Sequence, residues 1–499
     1  MEPIGTITMC FPHVDKETRS ILQSLMEIST NFADFTEKLC DKACTEVSLP
    51  PLLEYLAVYF ASRLDWYTLI DRLESTGKVP DLARHLLLLS KVRRGEAINW
   101  DEMKNSVKHA LVAAPNDWIV AHLYLNWRGL AEEYYPDTDL EIQPIEAITS
   151  SLEKSNEMAC FKSYLLYFKA RKYEREGRNN EAVNLYRQAV VTSREFDDQI
   201  LNAYVMVLFA SNIKRTDAKQ AIDLFISARE LSEKLGYRHG VGLVLEELGF
   251  IMQYRGELSA AIEYLRDYSM IRIQLGMTAQ LPNFLVASLY NQFGKGEEAY
   301  QYAKAAVDFS QASFEVRKSP RMHAELAWAL INLGRYEEAN TELATAYKSA
   351  SKSGDSIYMM WVRMVDGILD KAEKHFDSAY SIFKEILKDL ESNPIPVLQN
   401  ICLLNLTEIE IQMLTDKSLK KDSDLSGLWM KKLIEHAHEN DLPGIAARAL
   451  LLKAELRRRQ GRFDDLRMLL KQVQKTARAP SMKYLNDLLV SAFPDIVLT

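Results

Sequence analysis

An alanine recurs along the middle of the chain at nearly constant spacing. It is Ala182 in GRNNEAVNLYRQA, Ala221 in AKQAIDLFISA and Ala261 in GELSAAIEYL. It returns as Ala299 in GKGEEAYQYAKAA, Ala339 in GRYEEANTELATA and Ala379 in HFDSAYSIFKEI. The intervals are 39, 40, 38, 40 and 40 residues. A repeat of this length is one supersecondary unit that must stack on its neighbours to bury an apolar face.

Each copy has the same internal grammar. A glycine stands five residues before the alanine in four of them, as Gly177, Gly256, Gly294 and Gly334. Glycine accepts the left-handed backbone that ends a helix, so it marks a tight turn between two helices. Four positions after the alanine comes Tyr186, Phe225, Leu265, Leu343 or Phe383, and three further on Ala189, Ala228, Ala306 or Ala346. Offsets of four and seven fall on one helical face. Seven residues before the glycine is a small residue, Ala170, Gly249, Ala287 or Ala327, which lets two helices approach closely.

This grammar resembles the tetratricopeptide repeat over roughly residues 160–390, most clearly at Leu248-Gly249, Gly256 and Ala261 to Tyr264. A final copy, LLKAELRRRQGRFDDLRMLL, keeps Ala454, Gly461 and Phe463 but has Leu466 where the alanine belongs. The usual repeat is about 34 residues. The longer period here is similar to that of bacterial and archaeal transcriptional regulators and of motor light chains. The resemblance implies an all-α, right-handed α-solenoid of helix-turn-helix repeats. The expected organisation is an N-terminal arm and first helix (1–50) and degenerate hairpins (51–143). A core array (144–390) follows, then degenerate C-terminal repeats and capping helices (391–499) with an inserted loop at 415–427. GTITMCF reads as an isolated strand-like stretch, the pattern turns helical from Lys16, and PDTDLEIQP before Pro144 reads as a boundary.

In this family the first helix of each pair lines a concave wall. The resemblance therefore places Tyr164, Tyr167, Arg171 and Arg175 there, with Met206, Lys214, Phe250, Gln253, Tyr254, Phe284, Asn291 and Gln292. Arg321, Trp328, Trp361 and Met364 complete the set. Aromatic and arginine side chains are the types enriched at binding hot spots. The implied partner is another protein, held as a peptide or helix in the groove. The competing structural reading is that these aromatics pack against the next repeat.

Chemistry-bearing motifs are absent. There is no G-x-x-x-x-G-K-[ST], G-x-G-x-x-G, H-E-x-x-H or G-x-S-x-G. His436 and His438 are two apart on a helix, point to different faces and read as solvated. Cys10 and His13 lack partner ligands, and Cys40 and Cys44 share a helical face as core thiols. The expectation is no enzyme, no metal and no cofactor. Five cysteines in 499 residues are no disulfide framework, which fits a reducing compartment. No basic-then-apolar leader opens the chain, and no run of about 18 apolar residues occurs. A cytoplasmic protein without a membrane partner is expected, with self-association left open. A net charge of −8 disfavours nucleic acid. One exception is local. Residues 451–483 hold ten Lys or Arg, among them Arg457, Arg458, Arg459 and Arg462, against three acids. That patch reads as a solvated cap or as a surface for an acidic partner. Two functions remain on the sequence: a scaffold or adaptor, and the sensory component of a signalling or transcription system.

Overall fold

The computed structural model describes residues 15–46, 49–94, 162–175, 178–195, 198–214, 217–277, 280–312, 319–353, 356–392, 394–414 and 428–494, with scattered positions between 96 and 109. The GTITMCF stretch, Cys10, His13, the PDTDLEIQP connection, Cys160, Gly177 and the 415–427 loop lie outside these. The described residues are all α and contain no strand. Among the described residues an N-terminal helical block is followed by antiparallel helical hairpins.

The block holds α1 (Lys16–Glu27), α2 (Phe32–Thr45), α3 (Pro51–Arg63), α4 (Tyr67–Ser75) and α5 (Arg84–Arg93). The hairpins follow as α6 (Lys162–Arg175) with α7 (Asn179–Glu195), α8 (Gln199–Ile213) with α9 (Ala218–Leu235), and α10 (Arg238–Arg255) with α11 (Leu258–Gln274). Next are α12 (Gln280–Gln292) with α13 (Gly296–Ala312), α14 (Ser319–Asn332) with α15 (Tyr336–Ser353), and α16 (Ser356–Ala372) with α17 (Phe376–Ser392). The chain continues through α18 (Pro396–Met413), α19 (Leu428–Glu439), α20 (Pro443–Arg459), α21 (Phe463–Thr476) and α22 (Tyr484–Ala492).

The structure explains the repeat grammar. Ala182, Ala221, Ala261, Ala299, Ala339 and Ala379 are all at most 1% exposed. The small residue of the first helix faces the large residue four after the alanine in the second. A Cβ at Gly249 would lie 2.9 Å from Leu265 Cγ, and one at Gly367 would lie 3.0 Å from Phe383 Cζ. The turns are left-handed at Gly256, Gly294 and Gly334 (φ 72 to 73°). Lys374 occupies the same place in the next hairpin with φ 67°. Its amide donates to Lys371 O at 3.1 Å and that of His375 to Asp370 O at 2.8 Å, as the glycine turns do. These bonds satisfy carbonyls that a helix end leaves unpaired.

By contacts the chain divides into two compact units. The first runs through Val244 and includes Met270–Thr278; the second is Leu245–Ser269 and Ala279 onward. In the first unit, Phe32, Phe35 and Phe60 pack ring against ring at 5.4 to 6.1 Å. The block joins the hairpins through buried polar contacts. Arg63 Nη2 donates to Asp198 Oδ1 at 2.6 Å. Asp65, itself at φ 52°, accepts from Tyr67 Oη at 2.8 Å and meets His239 Nδ1 at 2.7 Å. The Tyr67 amide donates to Leu275 O at 2.9 Å.

In the second unit, the tip of the α10–α11 hairpin meets the far end of the array. A Cβ on Gly444 would fall 2.0 Å from Gly256 O, so the two backbones touch. Tyr484 Oη donates to the same carbonyl at 2.8 Å, and its ring stacks on Phe293 at 4.8 Å. Asn400 Nδ2 donates to Tyr254 O at 2.8 Å. Arg255 pairs with Asp441 at 3.1 Å and Lys295 with Asp487 at 2.7 Å. These contacts bring the two sequence ends of this unit together over one continuous core.

Two glycines separate turn strain from backbone contact. Gly461 has φ 71° and open space around its missing Cβ. Gly461→Ala is expected to lower stability by about 1 kcal/mol through strain alone. Gly444→Ala must push two backbones apart and is expected to cost more, in the upper part of the roughly 1–3 kcal/mol range for overpacking. Urea denaturation of both variants checks the order, and equal losses would contradict the contact.

Candidate functional site: the inner helices

The wall positions differ between the units. In the second unit they are largely core. Gln253 (4%), Phe284 (6%), Asn291 (3%), Trp328 (6%) and Trp361 (3%) are buried, while Phe250 and Tyr254 are half-buried. This corrects the expectation of an open, solvent-facing wall at the five buried positions. The cause is the meeting of α10–α11 with α18, α20 and α22, together with packing of each first helix on the next.

Four of the expected residues come together. The Arg321 guanidinium lies 3.9 Å from the Trp361 ring centre and 5.2 Å from that of Phe284. Its Nε is 3.6 Å from Glu325, one turn on. Asn291 Nδ2 donates to Glu325 O at 2.9 Å and to Glu325 Oε2 at 3.2 Å. Asn332 continues the chain, donating to Asn291 O at 3.1 Å. Burial raises the Glu325 carboxyl above its usual range and lowers the Arg321 guanidinium. An ion pair at 3.6 Å does not fully offset the desolvation of both charges. Glu325 carried no sequence signal, because it sits in an unbroken buried stretch of α14.

In the first unit Tyr164, Tyr167 and Arg171 stay half-buried, whereas Met206 is buried at 1% exposure. Tyr164 lies under the Arg63 guanidinium, 5.1 Å from its ring centre. Tyr167 meets Tyr204 edge-on at 5.6 Å. Arg171 Nη1 donates to Glu174 Oε2 at 3.0 Å, and Tyr186 Oη donates to the same oxygen at 2.8 Å. The side chain of Arg175 lies outside the described residues. Tyr204 escaped the offset argument because its hairpin carries no glycine in KRTDA to set the register.

The arginine patch is internally paired. Arg457 is 6% exposed and donates to Gln460 Oε1 at 2.7 Å. Arg458 pairs with Glu455 at 2.7 Å. Arg459 reaches Glu455 at 3.2 Å and donates to Ile411 O at 3.1 Å. Arg462 pairs with Asp465 at 2.5 Å. The first three end α20, where cations complement the helix dipole. His436 also departs from expectation. It is half-buried, and its Nε2 contacts Asn400 Oδ1 at 2.8 Å, whereas His438 is exposed. Cys40 and Cys402 are buried free thiols held above their ordinary pKa by burial. Asp370, Glu373 and His375 gather at the α16–α17 turn with metal-ligand chemistry, two of them exposed. Among the described residues, no helix is long and apolar enough to cross a membrane.

The buried reading has measurable consequences. Trp361→Ala is expected to lose about 3–5 kcal/mol by leaving a cavity. Glu325 has a folded pKa above its unfolded value, so its contribution is fullest below pH 4.5 and is lost as pH rises. Glu325→Gln should therefore gain on the parent as pH rises above 4.5 in urea titrations. A difference independent of pH would contradict the burial of a carboxylate.

No family model matches the sequence, and no curated protein matches it. Solved structures do. A Rap protein complexed with competence and sporulation factor is 12% identical with a TM-score of 0.36, over 82% of this chain and 100% of that one. A signal-transduction ATPase with a tetratricopeptide repeat sensor from Pyrococcus horikoshii is 13% identical with a TM-score of 0.34, over 89% and 74%. Yeast Tom70 is 12% identical with a TM-score of 0.31, over 92% and 96%. At this distance they carry no inference about what the chain binds.

Proposed function

We propose that this chain is a non-catalytic scaffold or adaptor that binds a polypeptide segment of a partner protein, working in the cytoplasm. The observation that carries the reading is the half-buried set Tyr167, Tyr204 and Arg171 on the inner helices α6 and α8. Two tyrosines and an arginine combine rigid apolar area with directed hydrogen bonding, which is the composition of binding hot spots. Glu174 holds the arginine by one bond. A guanidinium has five donors, so capacity remains for a peptide carbonyl or carboxylate. The buried inner face of the second unit takes a different role in this reading. Phe284, Asn291, Trp328 and Trp361 hold the hairpins in register and do not meet the partner.

A phage-displayed random peptide library, selected on the immobilised full chain, tests the proposal. Enriched peptides are expected to bind in solution, and Tyr167→Ala or Arg171→Ala should weaken them by about tenfold. Thermal melting of both variants should match the parent. No enrichment, or peptides that bind both variants as tightly as the parent, would overturn the reading.

A further inference from the structure

The second unit carries a further surface at its C-terminal helices. Between α19 and α20 lies a recess of about 330 Å³ lined by Met430, Lys431, Ile434, Lys453, Leu456 and Arg457, with Glu435 as the one acid among three cations. Its floor is apolar. Met430 and Leu456 are at most 2% exposed and join Ile411 in a small cluster separate from the main core. Ile434 stands at the edge with 39% of its surface exposed. Met430 and Ile434 are one turn apart on α19 beside Lys431, and Lys453 and Leu456 are one turn apart on α20, so both helices bring apolar and cationic side chains to the recess.

The cations on this edge are unequally committed. Arg457 is buried and held by Gln460. Lys431 has only a loose pair with Glu435 at 3.7 Å, both side chains more than half exposed. Lys453 is half-buried and makes no hydrogen bond or ion pair among the described residues. A half-buried ammonium with no carboxylate in direct contact loses hydration without a full return, although Glu435 lines the same recess. The surroundings strengthen the field. Residues 428–494 contain thirteen Lys or Arg against seven Asp or Glu, in a chain whose net charge is −8. Exposed pairs such as Arg458–Glu455 cancel part of that excess, and Lys453 does not share in the cancellation.

We propose that this recess docks an acidic segment of a partner protein carrying a bulky apolar anchor. The anchor sits on Met430, Ile434 and Leu456, and an Asp or Glu on either side reaches Lys453 and Lys431. A recess of this volume holds roughly two large aliphatic side chains and lies at the bottom of the size range of small-molecule sites. Apolar burial then supplies affinity, and the lysines supply orientation and on-rate. This surface is independent of the Tyr167–Tyr204–Arg171 face, and either can fail without the other.

The test uses the full chain and three fluorescein-labelled peptides: an acidic one with paired leucines (EELLDDLLEE), the same length of glutamate alone, and a lysine-for-acid version of the first. Fluorescence polarisation should show binding of the leucine-bearing acidic peptide only, weakening as salt rises from about 50 to about 300 mM. Lys453→Glu and Ile434→Glu, both at the surface, should each weaken it by about tenfold with unchanged melting. Arg467→Glu, at an exposed position of α21 outside the recess, should not. Equal binding of the glutamate peptide would show a diffuse polyanion site and overturn the proposal. So would insensitivity to both recess variants, or self-association of the parent chain that Lys453→Glu abolishes without peptide.

Discussion

The array depends on one steric fit repeated from hairpin to hairpin. A small residue on the first helix receives a large residue from the second, and a left-handed turn fixes the distance between them. Gly249 against Leu265 and Gly367 against Phe383 show the fit at near-contact distance. A larger residue at either glycine would separate the helices, and the alanines beyond would lose their contacts. The packing of the hairpins follows from this spacing, because interiors are close-packed and tolerate little added volume.

A local rule that repeats does not say where the repeats stop or what they touch at the end. In the second unit the answer comes from single contacts between distant parts of the chain. Gly256 meets Gly444 and Tyr484, and Tyr254 meets Asn400. Those contacts decide the fate of the inner face. The aromatic and amide side chains that would line an open wall become mutual partners, as Arg321 does between Phe284 and Trp361. In the first unit a different device operates. The N-terminal block reaches the hairpins through Arg63–Asp198 and through Asp65, Tyr67 and His239, which are polar and buried.

The all-α class and the hairpin turns were legible in the sequence, because alanine, glycine and the large residue recur at fixed offsets. Lys374 was not, since a lysine gives no sign that it will adopt φ 67°. The same pair of backbone bonds that closes the glycine turns holds it there. Which inner residues are buried was not legible either. Trp361 and Tyr167 satisfy the same pattern, and only contacts between residues far apart in sequence distinguish them. The arginine run looked like free charge because its acids, Glu455 and Asp465, lie on adjacent turns and are outnumbered in any window count.

The contact of Gly256 with Gly444 bears on how such a chain can change over time. Open arrays lengthen or shorten by whole hairpins, since each repeat sees only its neighbours. Here two bare backbones must arrive at the same place, at a clearance smaller than one methyl group. Gain or loss of a hairpin between them would carry the two glycines past each other. This stretch of the array is thereby locked at a fixed repeat number, and variation must fall on surfaces or beyond its ends.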